Sequence, residues 1–488
     1  MKRISVRVVA LIVLLILAVI GAGSCAQQAR IGRLTVLISG NVEGYLRNCG
    51  CSAGQAGGEL RKARILKLER QDGAKPKPVD RGYPPVVVLI DTGNFTNSAS
   101  KVTRAEAAGV VRSMAKLNYD AVGLGLRELS YSQTDLLELL KPADLPLTAA
   151  NLRFIKPQAS IDQSKALNSL IQPFRLIKQK NGYTVGVIHV VDLSAQNQMG
   201  KQTGFELSDP YEAACDVIKA HGKEASAWIL SIANAREDQA DHDKLAGVPG
   251  ITLLVGYRRL RVLESEPDTM EQLPRSVPPP FERAKDIVRV VVGFSPQGKA
   301  ETVNTEEVMI QESVKPDEYV LQIISEVEPQ LERLANDDAE IEDQPGVHPR
   351  YVGDNACAQC HENIIKQLAG TRHLQAYESV KKEGQQRSAA CLPCHVTGYN
   401  KAGGWNILKN AERPEMRGVH CESCHGPGEY HVAFRTTKVA PPDIALGGRN
   451  KVGLQPTSER TCLACHDEPN SPKFDYKVYW PKVQHSLK

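Results

Sequence analysis

The pattern Cys-x-x-Cys-His occurs four times in the C-terminal part of the chain, within residues 357–466. Two thiols at this spacing can bond to the two vinyl groups of one porphyrin, and the adjacent histidine can then bind its iron. The pattern is the attachment signal of a c-type haem, so the sequence predicts four covalently bound haem c groups. The attachment cysteines are Cys357 and Cys360, Cys391 and Cys394, Cys421 and Cys424, and Cys462 and Cys465. The proximal iron ligands are His361, His395, His425 and His466.

Paired zinc ribbons are the alternative reading of repeated Cys-x-x-Cys pairs, but zinc does not require the histidine that follows every copy here. The net charge of +4 over 488 residues is small and gives no reason to expect a nucleic-acid partner. Outside the four motifs the cysteines are Cys25, Cys49, Cys51 and Cys215, which are too few for a disulfide scaffold.

The N-terminus has the pattern of an export signal. Lys2 and Arg3 precede an apolar run over residues 8–20, which is short for a membrane span, and small residues then lead to Cys25. This pattern is typical of a bacterial lipoprotein, in which residues 1–25 form the lipoprotein-type signal region and Cys25 becomes the lipidated first residue of the mature protein. Ordinary cleavage and an uncleaved anchor are the alternatives. Ala26 replaces the aspartate associated with inner-membrane retention, which favours the outer membrane.

Residues 26–315 alternate buried strands with amphipathic helices, which predicts a layered α/β domain. Predicted strands cover residues 34–38, 85–91, 119–124, 184–191, 228–232, 251–255 and 288–292, and predicted helices cover 61–70, 105–117 and 134–140. Four loops of this domain follow predicted strands: residues 40–51, 91–94, 125–128 and 256–259. In this order they resemble the metal-binding loops of the secreted 5'-nucleotidases, which have the calcineurin-like metallophosphoesterase fold.

The resemblance implies a two-metal site, yet the diagnostic ligands are replaced. The replacements are Asn41 and Glu43 in the first loop, Asn94 in the second, Leu126 and Arg127 in the third, and Tyr257 and Arg259 in the last. Leucine and arginine cannot hold cations or lower the pKa of a bridging water. The histidines of this domain, His189, His221 and His242, lie in no ligand motif. We therefore expect a scaffold without metals and without catalytic residues.

Cys49 and Cys51 lie in the first of these loops and are too close to bridge each other easily. They are expected to bind a metal or to form a disulfide from one of them to Cys215, because free thiols are a liability in an oxidising compartment. The other reading is that the loop keeps these residues for its shape. Residues 316–350 form a joint, with an amphipathic helix over 316–334 followed by an acidic linker that ends in Pro345-Gly346.

Residues 351–488 are too few to build a separate apolar core around each of four porphyrins. We expect a mostly α-helical domain in which the haems pack against each other and form a path for electrons. Further motifs lie around the attachment sites, in order: residues 371–378, 394–399, 403–405, 419–431, 471–474 and 479–485. Together they resemble the tetrahaem cytochrome c-554 family over essentially this whole domain.

That resemblance implies that His373, His431 and His485 are the distal iron ligands, leaving one of four haems five-coordinate. His420 and His348 are additional, and either could complete the fourth iron. With two imidazoles an iron suits electron transfer, whereas an open iron can bind a small molecule.

The favoured function is a multihaem cytochrome relaying electrons in the cell envelope, in the periplasm, at the outer membrane or at the cell surface. Its partners would be redox proteins, the membrane through a lipid anchor, and other copies of the chain. The alternatives are a haem enzyme acting on a small nitrogen or oxygen species, and a phosphoesterase with a haem appendage.

Overall fold

The computed structural model describes residues 30–47, 56–97, 101–155, 161–200, 203–235, 239–256, 275–295, 300–342, 349–382, 386, 388, 391–406, 413–438, 454, 456–467, 471 and 473–485. The predicted lipidation site Cys25, the Cys49 and Cys51 pair, the loop with Tyr257 and Arg259, and His348 lie outside the described residues.

Thirteen described strands form the α/β body. They are β1 (Arg33–Ser39), β2 (Val86–Asp91), β3 (Ala121–Gly123), β4 (Leu147–Thr148), β5 (Leu152–Phe154), β6 (Phe174–Lys178), β7 (Thr184–Val191), β8 (Phe205–Leu207), β9 (Ala227–Ala233), β10 (Leu253–Val255), β11 (Arg275–Val277), β12 (Asp286–Phe294) and β13 (Ala300–Met309). The first sheet has the order β13-β12-β1-β2-β3-β4, and the second has the order β11-β10-β9-β7-β6. Strands β5 and β8 form a separate antiparallel pair.

Both sheets are mainly parallel. In the first, β1 to β4 run parallel, and the antiparallel hairpin of β12 and β13 extends the edge beside β1. In the second, β7, β9, β10 and β11 run parallel and β6 is antiparallel. Because parallel strands end at the same edge, the loops after β1, β2 and β3 meet at one edge of the first sheet.

Helices flank the sheets in the body and carry the haem motifs in the C-terminal part. In the body they are α1 (Glu59–Gly73), α2 (Lys101–Leu117), α3 (Leu126–Leu129), α4 (Gln133–Leu140), α5 (Ile161–Leu170), α6 (Pro210–His221), α7 (Gln239–Ala246) and α8 (Glu318–Glu342). In the C-terminal part they are α9 (Asp354–Ala369), α10 (Ala376–Lys382), α11 (Leu392–His395), α12 (Cys421–His425), α13 (Glu429–Thr437), α14 (Glu459–Leu463) and α15 (Tyr476–Tyr479). None of the described helices is both long enough and apolar enough to span a bilayer.

Alternation of side chains along the strands separates the body into four layers. On β1, Leu34, Val36 and Ile38 pack into the apolar core between the two sheets, whereas Leu37 packs on the opposite face against the helices. The outer face of the second sheet is covered separately by α6 and α7. The prediction of a layered α/β domain followed by a mostly α-helical part is confirmed.

The joint differs from its prediction. Helix α8 continues to Glu342, through most of the acidic stretch that was expected to be a linker. Its apolar residues Ile323, Val327 and Leu331 are buried in the core of the body, and α8 packs against α2. Alanine and glutamate in the acidic stretch have good helix propensity, so a helix already anchored by packing can continue through it.

His189 gives the body a pH-dependent stability. It is fully buried on β7, and burial lowers its pKa from 6.5 to about 4, although a hydrogen bond to the Leu124 carbonyl opposes this. As the pH falls, the unfolded chain therefore binds this proton before the folded chain does. We expect the free energy of unfolding to fall by about 3 kcal/mol between pH 6.5 and pH 4 from this residue alone.

The measurement is urea unfolding at a series of pH values, followed by the fluorescence of the buried Trp228. A His189→Gln variant, which cannot titrate, is the control. The free energies of variant and parent should converge as the pH falls, and parallel curves between pH 4 and pH 6.5 would contradict the assignment.

Candidate haem-binding centre

Six of the predicted iron ligands face each other in three pairs. The ring centroids are 6.5 Å apart for His361 and His431, 6.1 Å for His373 and His466, and 5.8 Å for His425 and His485. One iron that binds two imidazoles at ~2 Å each holds the ring centroids ~6 Å apart. Each pair combines one proximal histidine with one of the three distal histidines expected from the resemblance. The spacing of these pairs therefore fits three haems with two imidazole ligands each.

Short helical segments position these histidines. His361 lies at a kink in α9, where φ is −126° and ψ is 36°, and His431 lies on α13. His373 lies in a 3₁₀ turn, Arg372–Gln375, between α9 and α10. Burial and the neighbouring His466 ring lower the pKa of His373, which favours the neutral imidazole that binds a metal.

Hydrogen bonds orient three of the proposed ligands through Nδ1. The Nδ1 atom of His395 lies 2.7 Å from the Ala376 carbonyl oxygen, and that of His485 lies 3.1 Å from the Val483 carbonyl oxygen. The Nδ1 atom of His466 lies 3.0 Å from the Ser471 hydroxyl. A carbonyl can only accept, so Nδ1 of His395 and His485 carries the proton and Nε2 carries the lone pair. This tautomer is the one that binds a metal through Nε2.

His420 is placed differently. Its Nδ1 lies 2.6 Å from a carboxylate oxygen of Asp354, and its Nε2 lies 3.0 Å from the carbonyl oxygen of Arg417. Burial disfavours the charged ring, but the two hydrogen bonds outweigh it and raise the pKa of His420 above its usual value. Both ring nitrogens therefore act as donors, and the structure does not place His420 as an iron ligand.

The four attachment motifs adjoin one another in the order first, third, fourth, second. The thiols of Cys357 and Cys421 are in hydrogen-bonding contact, which joins the first motif to the third. Burial, and secondly the neighbouring Cys462, raise the pKa of the Cys424 thiol, so the third motif lies near the fourth. The fourth motif meets the second where Cys394 Sγ lies 3.9 Å from the Ala464 carbonyl oxygen. These sulfurs would form thioether bonds to the porphyrins, so four attached haems would be close neighbours.

Two acidic residues that the sequence did not single out hold this arrangement together. Glu422 lies inside the third motif, and its buried carboxylate accepts backbone N–H groups of Val352, Gly353 and Gly428. Asp354, at the start of α9, accepts from His420 and so ties the first motif helix to the third. The only signal in the sequence was an acidic residue between the two cysteines of a motif.

In the body, the residues of the first three predicted metal loops that the structure describes do come together, but they bind each other. Asn94 Nδ2 donates to Asn41 Oδ1 at 3.1 Å and to Asn234 Oδ1 at 3.4 Å. The side-chain oxygens of Asn94 and Asn234 accept the backbone N–H groups of Arg127 and Leu126. Asn234 follows β9 and was not predicted. Across the described residues, no group of three or more His, Cys, Asp or Glu side chains is placed to hold a metal ion.

Charged side chains complete this edge of the sheet. Arg127 Nη2 lies 2.7 Å from Glu43 Oε1; burial raises the pKa of Glu43, and the guanidinium opposes the shift. The buried carboxylate of Glu128 accepts backbone N–H groups of Asn94, Thr96 and Gly125, so it fixes the loops rather than a ligand. The described residues of these loops therefore still meet at one edge of the sheet, where hydrogen bonds and an ion pair within the chain occupy their polar groups.

Two further residues of the body bear on its predicted disulfide and on its contact with the haem motifs. Cys215 is a free thiol on α6 at the outer face of the second sheet, so the predicted disulfide to it is not formed. Its predicted partners, Cys49 and Cys51, lie outside the described residues. Arg283, which stacks over the ring of Tyr45, lies 3.7 Å from Asp467, the residue after His466. This ion pair joins the body to the fourth haem motif.

Comparison with known proteins separates the two parts of the chain. Residues 356–426 match the family described as cytochrome c554 and c-prime. Cytochrome c-554 of Nitrosomonas europaea is 31% identical over 161 residues, which cover 27% of this chain and 66% of that relative. The match thus spans slightly less than two thirds of the relative's length.

Among solved structures, the 5'-nucleotidase precursor from Thermus thermophilus aligns with this chain at 16% identity and a TM-score of 0.49. The alignment covers 72% of this chain and 68% of the nucleotidase chain. The NAD nucleotidase of Haemophilus influenzae aligns with 66% of this chain and 64% of its own, at 16% identity and a TM-score of 0.48. A calcineurin-like phosphoesterase from Bacillus subtilis aligns with 62% of this chain and 99% of its own, at 17% identity and a TM-score of 0.46. The C-terminal part of this chain is thus similar to cytochrome c-554, and the solved structures with which the chain aligns are two nucleotidases and a phosphoesterase.

Proposed function

We propose that this chain is an exported tetrahaem c-type cytochrome that relays electrons, and that its α/β body is a non-catalytic platform. The three facing histidine pairs carry this proposal. When bound, the four haems would supply one-electron exchange. The histidine pairs would hold three irons in nearly the same environment before and after reduction, which suits transfer rather than chemistry. The contacts between the attachment motifs support a continuous path through the domain.

Low-temperature EPR of the oxidised protein, combined with haem quantification by the pyridine haemochrome method, tests the proposal. Four haems per chain are expected, of which at least three are low-spin, because three pairs of imidazoles face each other. Fewer than four haems, or fewer than three low-spin signals, would contradict the assignment of the pairs.

A second candidate function is binding of a small molecule at the iron of His395. His373, His431 and His485 each face another proximal histidine, and His420 is engaged by Asp354 and Arg417. His348 is the remaining histidine predicted as a candidate for the second ligand of that iron. A high-spin ferric signal that responds to nitric oxide or cyanide would favour this function, whereas four low-spin haems would favour electron relay alone.

The body's role as a metal-free platform is supported by its amide cluster of Asn41, Asn94 and Asn234 and by the ion pair of Arg127 with Glu43. A guanidinium at this edge disfavours divalent cations. Purified protein incubated with manganese or zinc and a nucleotide is expected to release no phosphate above background. Measurable turnover that disappears on chelation would overturn this part of the proposal. It would support the alternative function, a phosphoesterase with a haem appendage.

Export and lipidation at Cys25 complete the proposal, with the periplasm or outer membrane as the location. Covalent haem attachment takes place outside the bacterial cytoplasm, which supports export. The ion pair between Arg283 and Asp467 supports a role for the body in holding the haem-binding part in place. Mass spectrometry of the mature protein's N-terminus decides between a lipidated Cys25, simple cleavage and an uncleaved signal.

A further inference from the structure

Two buried nitrogen donors beside the second haem motif have no acceptor among the residues that the structure describes. They belong to Trp405 and Arg417, which both pack on the ring of Tyr377; we call these three residues the second-motif cluster. The Trp405 ring centroid is 5.9 Å from that of Tyr377, and the Arg417 guanidinium carbon is 5.4 Å from the Tyr377 ring centroid. Because both donors lie against one ring, one anionic group could receive both.

Trp405 is 0% exposed, and its indole nitrogen Nε1 has no hydrogen-bond partner in the described part of the chain. An indole N–H can only donate, and a buried donor without an acceptor costs ~1–3 kcal/mol. Its backbone is well anchored, since its N–H donates to the Thr397 carbonyl and its carbonyl accepts from Asn400. The indole N–H therefore has a fixed position in the loop after the second motif and finds no acceptor among the described residues.

Arg417 also lacks an acidic partner within the described ranges. Its Nε atom is buried and has no acceptor there. The nearest acidic residue in sequence, Glu415, pairs instead with Arg413, whose Nε lies 2.9 Å from Glu415 Oε1. A half-buried guanidinium that rests on a tyrosine ring without a carboxylate is unusual, because buried cations are normally paired.

The second-motif cluster lies against the attachment site itself. Tyr377 and Trp405 share an apolar cluster with Cys391 and Leu392 of the second motif. The carbonyl of Ala376, the residue before Tyr377, accepts the hydrogen bond from His395 Nδ1. Arg417 forms an isolated β-bridge with Val396, the residue after His395. The two donors therefore lie beside the motif, on residues that pack against the chain next to the proximal ligand.

We propose that Trp405 Nε1 and the Arg417 guanidinium bind a propionate of the haem attached at Cys391 and Cys394. A haem carries two propionate carboxylates, which are acceptors only, and a guanidinium donates to a carboxylate in a bidentate manner. Neutralising this carboxylate would stabilise the reduced state of that haem relative to an unpaired propionate. The inference rests on the proposed attachment of four haems, but it does not depend on the spin state of this one.

Potentiometric titration and resonance Raman spectroscopy of the full-length holoprotein test the inference. Arg417→Gln and Trp405→Phe should each lower the reduction potential of one haem and shift its propionate bending band. Arg417→Lys should restore part of the potential, because it keeps the charge without the bidentate geometry. The haem in question is identified independently as the one whose spectrum changes in a His395→Met variant.

Arg435→Gln and Trp480→Phe are the matched controls, since Arg435 is exposed on α13, Trp480 stacks on Tyr476, and neither belongs to the second-motif cluster. Neither should change the potential or the propionate band of that haem. Unchanged potentials in Arg417→Gln and Trp405→Phe, or a change in a different haem, would overturn the inference. Failure of the underlying function would instead appear in the parent protein, as fewer than four haems.

Discussion

Alanine at His373, at His431 or at His485 is expected to change one haem from low-spin to high-spin in each single variant. Each of these histidines faces a proximal histidine at the spacing expected of two imidazoles on one iron. Removing the distal ring leaves that iron with one imidazole, while covalent attachment through its two cysteines is unaffected. EPR should therefore show one additional high-spin centre, and the pyridine haemochrome method should still find four haems.

His420→Ala is the control, because His420 is equally close to a haem motif but donates hydrogen bonds from both ring nitrogens, to the Asp354 carboxylate and the Arg417 carbonyl. It should leave the number of high-spin centres unchanged and should instead loosen the contact between α9 and α12. A new high-spin centre in His420→Ala would make His420 an iron ligand. An unchanged spectrum in any of the other three variants would remove that residue from the ligand set.

The attachment sites could be predicted from sequence because each depends on five adjacent residues. The pairing of distal with proximal histidines could not, since the partners of His361 and His425 lie far along the chain and meet only through the packing of short helices. The different role of His420 depended on Asp354, which nothing in the local sequence connects to it. The resemblance to a family named three expected distal residues but not the proximal histidine that each of them faces.

The body shows a similar division between local and distant information. Parallel strands bring Asn41 and Asn94 to one edge, so their proximity followed from the order of strands. Asn234 joins them only because the end of β9 in the second sheet lies against the first, which no local pattern reveals. Helix α8 extended beyond its predicted end for the same kind of reason: its earlier part is anchored in the core of the body, and the acidic composition of the later stretch does not reveal this.

Lys62→Met is expected to lower the free energy of unfolding of the body by about 3–5 kcal/mol. Lys62 is 0% exposed on α1, and its Nζ lies 2.7 Å from the equally buried Glu59 carboxylate. Nζ also donates to the Tyr119 hydroxyl at 3.3 Å, and that hydroxyl bonds to Ser39, which donates to Asp91. Burial disfavours the charged amine, but Glu59 outweighs it and raises the pKa of Lys62, so the variant leaves a carboxylate without its cation in the core.

Denaturant unfolding followed by Trp228 fluorescence measures the loss in the free energy of unfolding. Two further variants serve as controls for its cause. Lys75→Met removes an exposed lysine of the same body that pairs with Asp72, and it should change the stability little. Glu59→Gln combined with Lys62→Met removes both charges and should recover part of the loss, because the cost comes from an unpaired buried charge rather than from a missing attraction. If the double variant is as unstable as Lys62→Met alone, the network with Tyr119 and Asp91 matters more than the ion pair. If Lys62→Met costs no more than Lys75→Met, the buried pair does not stabilise the body.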